Sequence, residues 1–425
     1  MPTYLKPKLK ITVEGFMNTL TQLPAQKKVS ATSPEIELLL SCARTKIDAP
    51  IAEQIKNLIE QGINWEHLTK TAKRHGVMPL LYQSLNNTGP NKVPQQILNQ
   101  LRDNFQANTL HNLFLSQELL KILKLFEAND ISAIPFKGPV LAAWAYGNLA
   151  LRQFSDLDIL VNKQDFPRAR DLLISQGYNR CNQLYWECEL TSDQGLYNID
   201  LHWEIVPKHL CHFFSAEELW EDLESFSLMD TTISNLSPET WLLIICIQGN
   251  KDYWLKLNRI CDLAEILRTE QRINWEQLIK QSEKLGCKRQ LLIGLLLAQN
   301  LLGAALPTTI SQQIQSDSAV NVLALQACEW LFPKTIQSVE GIKIIVWTLH
   351  TRERWQDKIK SILGFMKNSN WITPKQDDFI FLPLPEFLSF LYYLIRPLRL
   401  ITRLLIVLVT WTKRLSFTKI TLSNG

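Results

Sequence analysis

Between about Phe114 and Asp230 the chain stops repeating its apolar residues at helical spacing and alternates strand-length runs with helical ones. The stretch FKGPVLAAWAYGNLALRQFSDLDILV, Phe136 to Val161, lies within this segment. A strand is expected over Ser132–Phe136, a helix over Pro139–Tyr146, a strand over Leu157–Val161 and a helix over Gln164–Gln176. Two β runs, Gln183–Leu190 and Tyr197–Val206, follow. On either side the spacing is helical. Ser33-Pro34 opens an N-terminal series that includes Ala52–Glu60, Trp65–His75 and Gln95–Leu113, and LSQELLKILKLFEAND forms a further amphipathic helix. Ser237-Pro238 opens a second series that runs to about Lys367. Strands confined to one segment, with helices before and after, predict an α/β or α+β core between two helical regions. No internal repeat and no low-complexity linker stands out in that organisation.

Composition narrows the class. Of 425 residues, 46% are hydrophobic, enough for a sizeable core, and a formal net charge of +4 is too small for a dedicated nucleic-acid binder. The eight cysteines are scattered with no C-x-x-C pair, which predicts reduced thiols and a cytoplasmic protein. Residues 1–32 carry Lys6, Lys8, Lys10, Lys27 and Lys28 without sustained periodicity and are expected to form a flexible arm. After Glu386 no acidic residue occurs, while Arg396, Arg399, Arg403, Lys413, Arg414 and Lys419 accumulate. The longest uncharged runs there, Phe387–Ile395 and Leu404–Thr412, fall well short of the about 20 residues a spanning helix needs. The tail helix over 398–412 therefore reads either as docked on the protein's own body or as a peripheral contact with an anionic membrane.

The chemistry concentrates in SDLDILV. Asp156 and Asp158 share one face of a strand, where their charges repel unless solvent or a cation separates them. In YNIDLHWEI, Asp200, His202 and Glu204 share a face by the same period, and Asp200 completes a triad if the two strands are neighbours. Hard divalent cations such as Mg²⁺ take carboxylate oxygens of this kind together with substrate phosphates. Upstream, Gly138 at the N-cap and Pro139 at N1 would point free amides at such a phosphate, with Lys137 and Arg152 supplying charge and Ser155 beside the pair. The plainer alternatives are a solvated, capped strand start for Asp156 and Asp158, and an ion pair of Arg152 with Asp156 or Asp171. His202 is expected to pack or hydrogen-bond beside Asp200, Asp262 faces either a cleft or solvent, and His202, His209, Cys211 and His212 match no recurrent zinc spacing. The cation reading carries a forecast: Asp158→Asn should leave the metal-free protein at least as stable as the parent.

Those stretches, with ARDLLISQGY, IDLHWEI and LTKTAKRHGVMPLL and with NRICDLAEIL, TRERWQDKI and FLYYLIRPLRL beyond them, resemble a bacterial family of uncharacterised nucleotidyltransferases within the polymerase-beta-like superfamily. The fold this implies is α+β, a small mixed-sheet nucleotidyltransferase core over 114–236 flanked by helical regions over 33–113 and 237–370, with a basic amphipathic tail over 371–425. The resemblance implies that Asp156, Asp158 and Asp200 are the catalytic metal ligands for Mg²⁺ or Mn²⁺. It also implies that Lys137, Gly138, Arg152 and Ser155 contact ATP or another nucleoside triphosphate. Transfer of a nucleoside monophosphate to an unspecified acceptor hydroxyl follows, with a catalytically inactive nucleotide-binding or regulatory module as the alternative. Two departures from the family pattern bear on that choice. Lys137-Gly138-Pro139 replaces the usual Gly-Ser turn, and Gln248 and Asp252 stand where relatives often carry histidines.

Overall fold

The fold is that of a computed structural model, which describes residues 33–183, 186–193, 195–205, 216–333 and 341–367, with scattered positions between 382 and 402. The arm over 1–32, the group His209, Cys211 and His212, and the tail helix apart from Arg399 and Thr402 lie outside the described residues. Helices α1 (Pro34–Cys42), α2 (Ala49–Glu60), α3 (Trp65–His75) and α4 (Met78–Thr88) come first. Side-chain caps set the starts of α2 and α3, where Asp48 accepts from the Ile51 N–H at 2.9 Å and Asn64 from the His67 N–H at 3.0 Å. The two helices expected next are one, α5 (Gln95–Glu127), because no Gly or Pro interrupts its 33 residues. Its start packs on α4 and its end on the sheet.

The central segment supplies β1 (Ala133–Phe136), α6 (Gly138–Trp144), β2 (Asp156–Val161), α7 (Phe166–Ser175), β3 (Asn179–Gln183), β4 (Glu187–Thr191) and β5 (Asn198–His202). They form a mixed five-stranded sheet in the order β1-β2-β5-β4-β3, in which only β2 and β5 run parallel. The molecule is therefore α+β. From Leu157 to Val161 every residue of β2 is buried, as expected of a central strand covered on both faces, by α5 and α6 among others. The β run expected over Gln183–Leu190 is β4, from Glu187 on, and the unexpected β3 just before it pairs with it antiparallel, with a register shift between Arg180 and Asn182.

A short helix α8 (Ala216–Glu221) leads into a hairpin, β6 (Leu223–Leu228) and β7 (Thr231–Leu236), which the sequence pattern did not suggest. Its two-residue loop, Met229-Asp230, has positive φ at both positions (48° and 62°). That is the geometry for which Asn-Gly or Asp-Gly is the usual signal, and neither is present. Helices α9 (Pro238–Lys251), α10 (Leu257–Thr269), α11 (Trp275–Leu285), α12 (Lys288–Leu302), α13 (Thr308–Ser316), α14 (Ser318–Leu331), α15 (Gly341–His350) and α16 (Trp355–Lys367) follow. One contiguous buried cluster runs from Leu38 in α1 through the sheet to Leu349 in α15. Among the described residues no helix is long and apolar enough to cross a membrane.

The helical regions do contain a repeat, contrary to the sequence reading. INWEHLTKTAKRHG (63–76) and INWEQLIKQSEKLG (273–286) build matching units. Asn64 and Asn274 each cap a helix through the N–H three residues on, and Gly76 and Gly286 end those helices at φ 68° and 69°. The next amide bonds back to Ala72 in one copy and Ser282 in the other, and a further helix starts, α4 or α12. Each glycine is then approached by a later helical segment. A Cβ at Gly76 would lie 2.9 Å from Asn258 Nδ2, and one at Gly286 would lie 2.8 Å from Asp357 Oδ2.

Candidate active site

The parallel pairing of β2 with β5 sets Asp158 opposite Asp200, on the same face as Asp156 and His202. Asp158, Asp200 and His202 each offer a ligand atom, and the three atoms lie within 4.8 Å of one another. Asp158 is 4% exposed. It accepts from the Lys137 ammonium at 2.7 Å and faces His202 Nε2 at 3.2 Å. Burial opposes its ionisation, but Lys137 and His202 outweigh burial and hold the carboxyl well below the usual carboxylate range. Asp200 has His202 nearby but no lysine or arginine ion pair among the described residues. Burial first, and the Asp158 charge second, push its carboxyl up to about 7. His202 stands edge-on to Phe136, with its Nδ1 3.3 Å from Glu187 Oε2.

The turn between β1 and α6 differs from its expected geometry. Lys137, not Gly138, is the N-cap, and Gly138-Pro139 form the first helical positions. Lys137 has φ 60° and ψ −140°, a backbone that favours glycine and strains a lysine by about 1 kcal/mol or more. Its ammonium points to the carboxylates and also lies 5.0 Å from the Phe136 ring centre. Gly138 sits at φ +37°, a backbone that disfavours any other residue, and a Cβ there would meet the Asp156 carbonyl oxygen at 3.4 Å, close to ordinary contact.

A family model described as an uncharacterised nucleotidyltransferase matches residues 61–303, more than half of the chain. The chain belongs to that nucleotidyltransferase family. No curated protein and no solved structure matches it.

In this nucleotidyltransferase Asp156 and Asp158 border a cleft of about 580 Å³, which Lys137, Gly138, Arg152 and Ser155 also help to line. Ser155 is exposed at the start of β2 and Asp156 is half-buried. Asp200 and His202 stand beside them on β5 and do not line this cleft; Asp200 instead borders a smaller pocket of about 190 Å³ with Asn182, Glu187 and Glu189. The structure thus brings Asp158 and Asp200 together with His202, and leaves Asp156 on the cleft side of the group. His202 does both things expected of it, packing on Phe136 and making polar contacts, but those contacts are with Asp158 and Glu187.

Arg152 pairs with neither Asp156 nor Asp171. Its Nε and Nη2 donate to the two oxygens of Asp262 on α10, at 2.8 and 3.0 Å, and the Tyr146 hydroxyl donates to the same carboxylate at 2.7 Å. Asp262 is fully buried, so it faces neither cleft nor solvent. Asn112 of α5 donates to the carbonyls of Leu149 and Arg152 at 2.6 and 2.7 Å, which fixes the segment leading to Asp156. Gln248 is buried in α9, and Asp252 at its end lies 3.7 Å from Arg259. Neither borders the cleft.

A divalent cation fits this donor set. Two carboxylates converge, one with its ionisation suppressed, and an imidazole nitrogen stands beside them. Oxygen donors suit Mg²⁺, and adding imidazole suits Mn²⁺ better.

Proposed function

We propose that the protein transfers a nucleoside monophosphate from ATP or another nucleoside triphosphate to an acceptor hydroxyl, with Mg²⁺ or Mn²⁺ held by Asp158 and Asp200 and completed by Asp156 or His202. The observation that carries this is the paired placement of Asp158 and Asp200 on parallel strands, with His202 beside them, where Asp158 and Asp156 border a cleft large enough for a nucleotide. A bound cation would supply neutralisation between the carboxylates and polarisation of the phosphate oxygens. The remaining work falls to the chain. The acceptor oxygen attacks the α-phosphorus, its proton passing to a carboxylate of this group or to water. The bond to the bridging oxygen breaks and pyrophosphate leaves. Lys137, beside Asp158, is placed to meet charge that develops on the phosphates, and the Asn112 and Arg152 contacts hold the Asp156 segment in position. The Lys137-Gly138-Pro139 turn, in place of Gly-Ser, favours the second reading, a nucleotide-binding module without turnover.

The test is a thermal melt of the full chain with and without Mn²⁺ plus nucleoside triphosphate, paired with mass spectrometry of nucleotidylated products. The parent should melt several degrees higher with both ligands present. Asp158→Asn should lose that response and any transfer by at least about 100-fold. A parent that ignores metal and nucleotide refutes the enzyme and the binding module alike, and binding without product supports the module.

A further inference from the structure

The wall of the cleft that faces the carboxylates comes from the helical regions, and it is basic. The cleft is bordered by the cations Lys73, Lys137, Arg152, Lys256 and Arg259 against the carboxylates Asp156 and Asp158. Lys137 is engaged by Asp158 and Arg152 by Asp262. Lys73 and Lys256 are exposed and make no ion pair among the described residues, and Arg259 has only a 3.7 Å approach to Asp252.

Two details argue that this charge is not incidental. First, the wall is built rigidly. The Leu257 N–H donates to His75 Nδ1 at 3.2 Å, and Gly76 lets Asn258 pack against the end of α3. Lys73 near the end of α3 and Lys256 at the start of α10 are thereby held at one place despite their like charge. Lys256 also sits at a helix N-terminus, where a cation opposes the helix dipole, and no acidic residue occupies that first turn. Second, the repeat supplies an internal comparison. The position of Lys73 is taken by Glu283 in the second copy, which does not border the cleft and pairs with Lys288. The scaffold therefore does not require a lysine there.

We infer that Lys73, Lys256 and Arg259 form a phosphate-binding wall that grips the triphosphate of the nucleotide from the side opposite the carboxylates. The inference rests on the nucleotidyltransferase reading above and adds to it. The substrate is held between the sheet and the helical regions, so its polyanionic tail is recognised by residues outside the strand-bearing core. Electrostatic capture of this kind weakens with salt.

The test is the binding of ATP, AMP, inorganic tripolyphosphate and glycerol 3-phosphate to the full chain in the presence of Mn²⁺, for the parent, Lys73→Ala/Lys256→Ala and Arg259→Ala, with Mn²⁺ binding measured separately. The exposed lysines can be removed without touching the core, and an unchanged melting temperature verifies this. The expected result is at least about tenfold weaker binding of ATP and tripolyphosphate to the double variant, with a shallower salt dependence and unaltered AMP and Mn²⁺ binding. Arg259→Ala should show a smaller loss in the same two ligands. Unchanged ATP affinity in the double variant overturns the wall while leaving the proposed reaction standing. The wall is overturned in the same way if only a phosphorylated acceptor analogue, glycerol 3-phosphate, loses affinity. A parent that binds Mn²⁺ but no ATP overturns both.

Discussion

Asp158 and Asp200 occupy paired positions on neighbouring strands, yet their surroundings treat them oppositely. Asp158 is buried against Lys137 and His202, which favour its ionised form. Replacing it by Asn leaves the largely buried Lys137 ammonium without its anion, so the metal-free protein should lose about 3 kcal/mol. This reverses the forecast from sequence, where repulsion within the carboxylate group was visible and Lys137 was assigned to phosphate instead. Asp200 behaves the other way. With its carboxyl pushed up to about 7, the folded chain holds a proton that the unfolded chain releases near pH 4. Stability from this group therefore falls as pH rises from about 4 to about 7. Asp200→Asn should flatten that fall and stabilise the metal-free protein at pH 8 by on the order of 1 kcal/mol, allowing for the solvent that reaches this half-buried side chain. Denaturant melts of parent and both variants at pH 5 and pH 8 check the signs, and a stabilised Asp158→Asn would contradict the role given to Lys137.

At the scale of elements, the join between α3 and α10 turns on His75. The ring is fully buried, its Nδ1 accepts from the Leu257 amide, and burial together with Arg74 and Lys256 lowers its pKa to about 4. The unfolded chain takes up that proton from about pH 6.5 downward and the folded chain only near pH 4, so acidification through this window should remove up to about 3 kcal/mol. His75→Gln should be less stable at pH 7 and should lose this part of the acid sensitivity; an unaltered pH profile would disprove the assignment. What the sequence made legible follows local physics. Ser-Pro pairs marked the helix starts at Pro34 and Pro238, and the D-x-D strand declared itself by its apolar continuation. The β6–β7 hairpin carried neither strong alternation nor a standard turn pair. The repeat was written openly in INWE and the glycine ten residues beyond it, but 210 residues separate its copies and the helices after each differ in sequence. The partner of Arg152 was hidden for a different reason. Asp262 lies 110 residues away, and only the packing of α10 against the core brings it near.

On the scale of the whole molecule, that ion pair decides how the sheet and the C-terminal helices act as one body. Arg152 and Asp262 are 5% and 1% exposed at their side chains, with geometry that satisfies both carboxylate oxygens, and Tyr146 donates to the same group. Burial works against the Arg152 charge and Asp262 more than restores it, while burial raises the Tyr146 hydroxyl well above its ordinary range. No solvent is at hand to rescue either partner. Asp262→Asn should therefore cost about 3 to 5 kcal/mol through an uncompensated buried guanidinium, whereas Arg152→Met combined with Asp262→Leu should lose less than the single change. Activity separates the two consequences. The double variant keeps packing but releases the tie between α10 and the segment that carries Asp156, so it should regain much of the stability while transfer stays reduced. The measurement is a double-mutant cycle on both stability and turnover. If the double variant recovers both together, the pair holds the fold and does not position the site; if it recovers stability alone, the helices after the core help to set the geometry of the carboxylates.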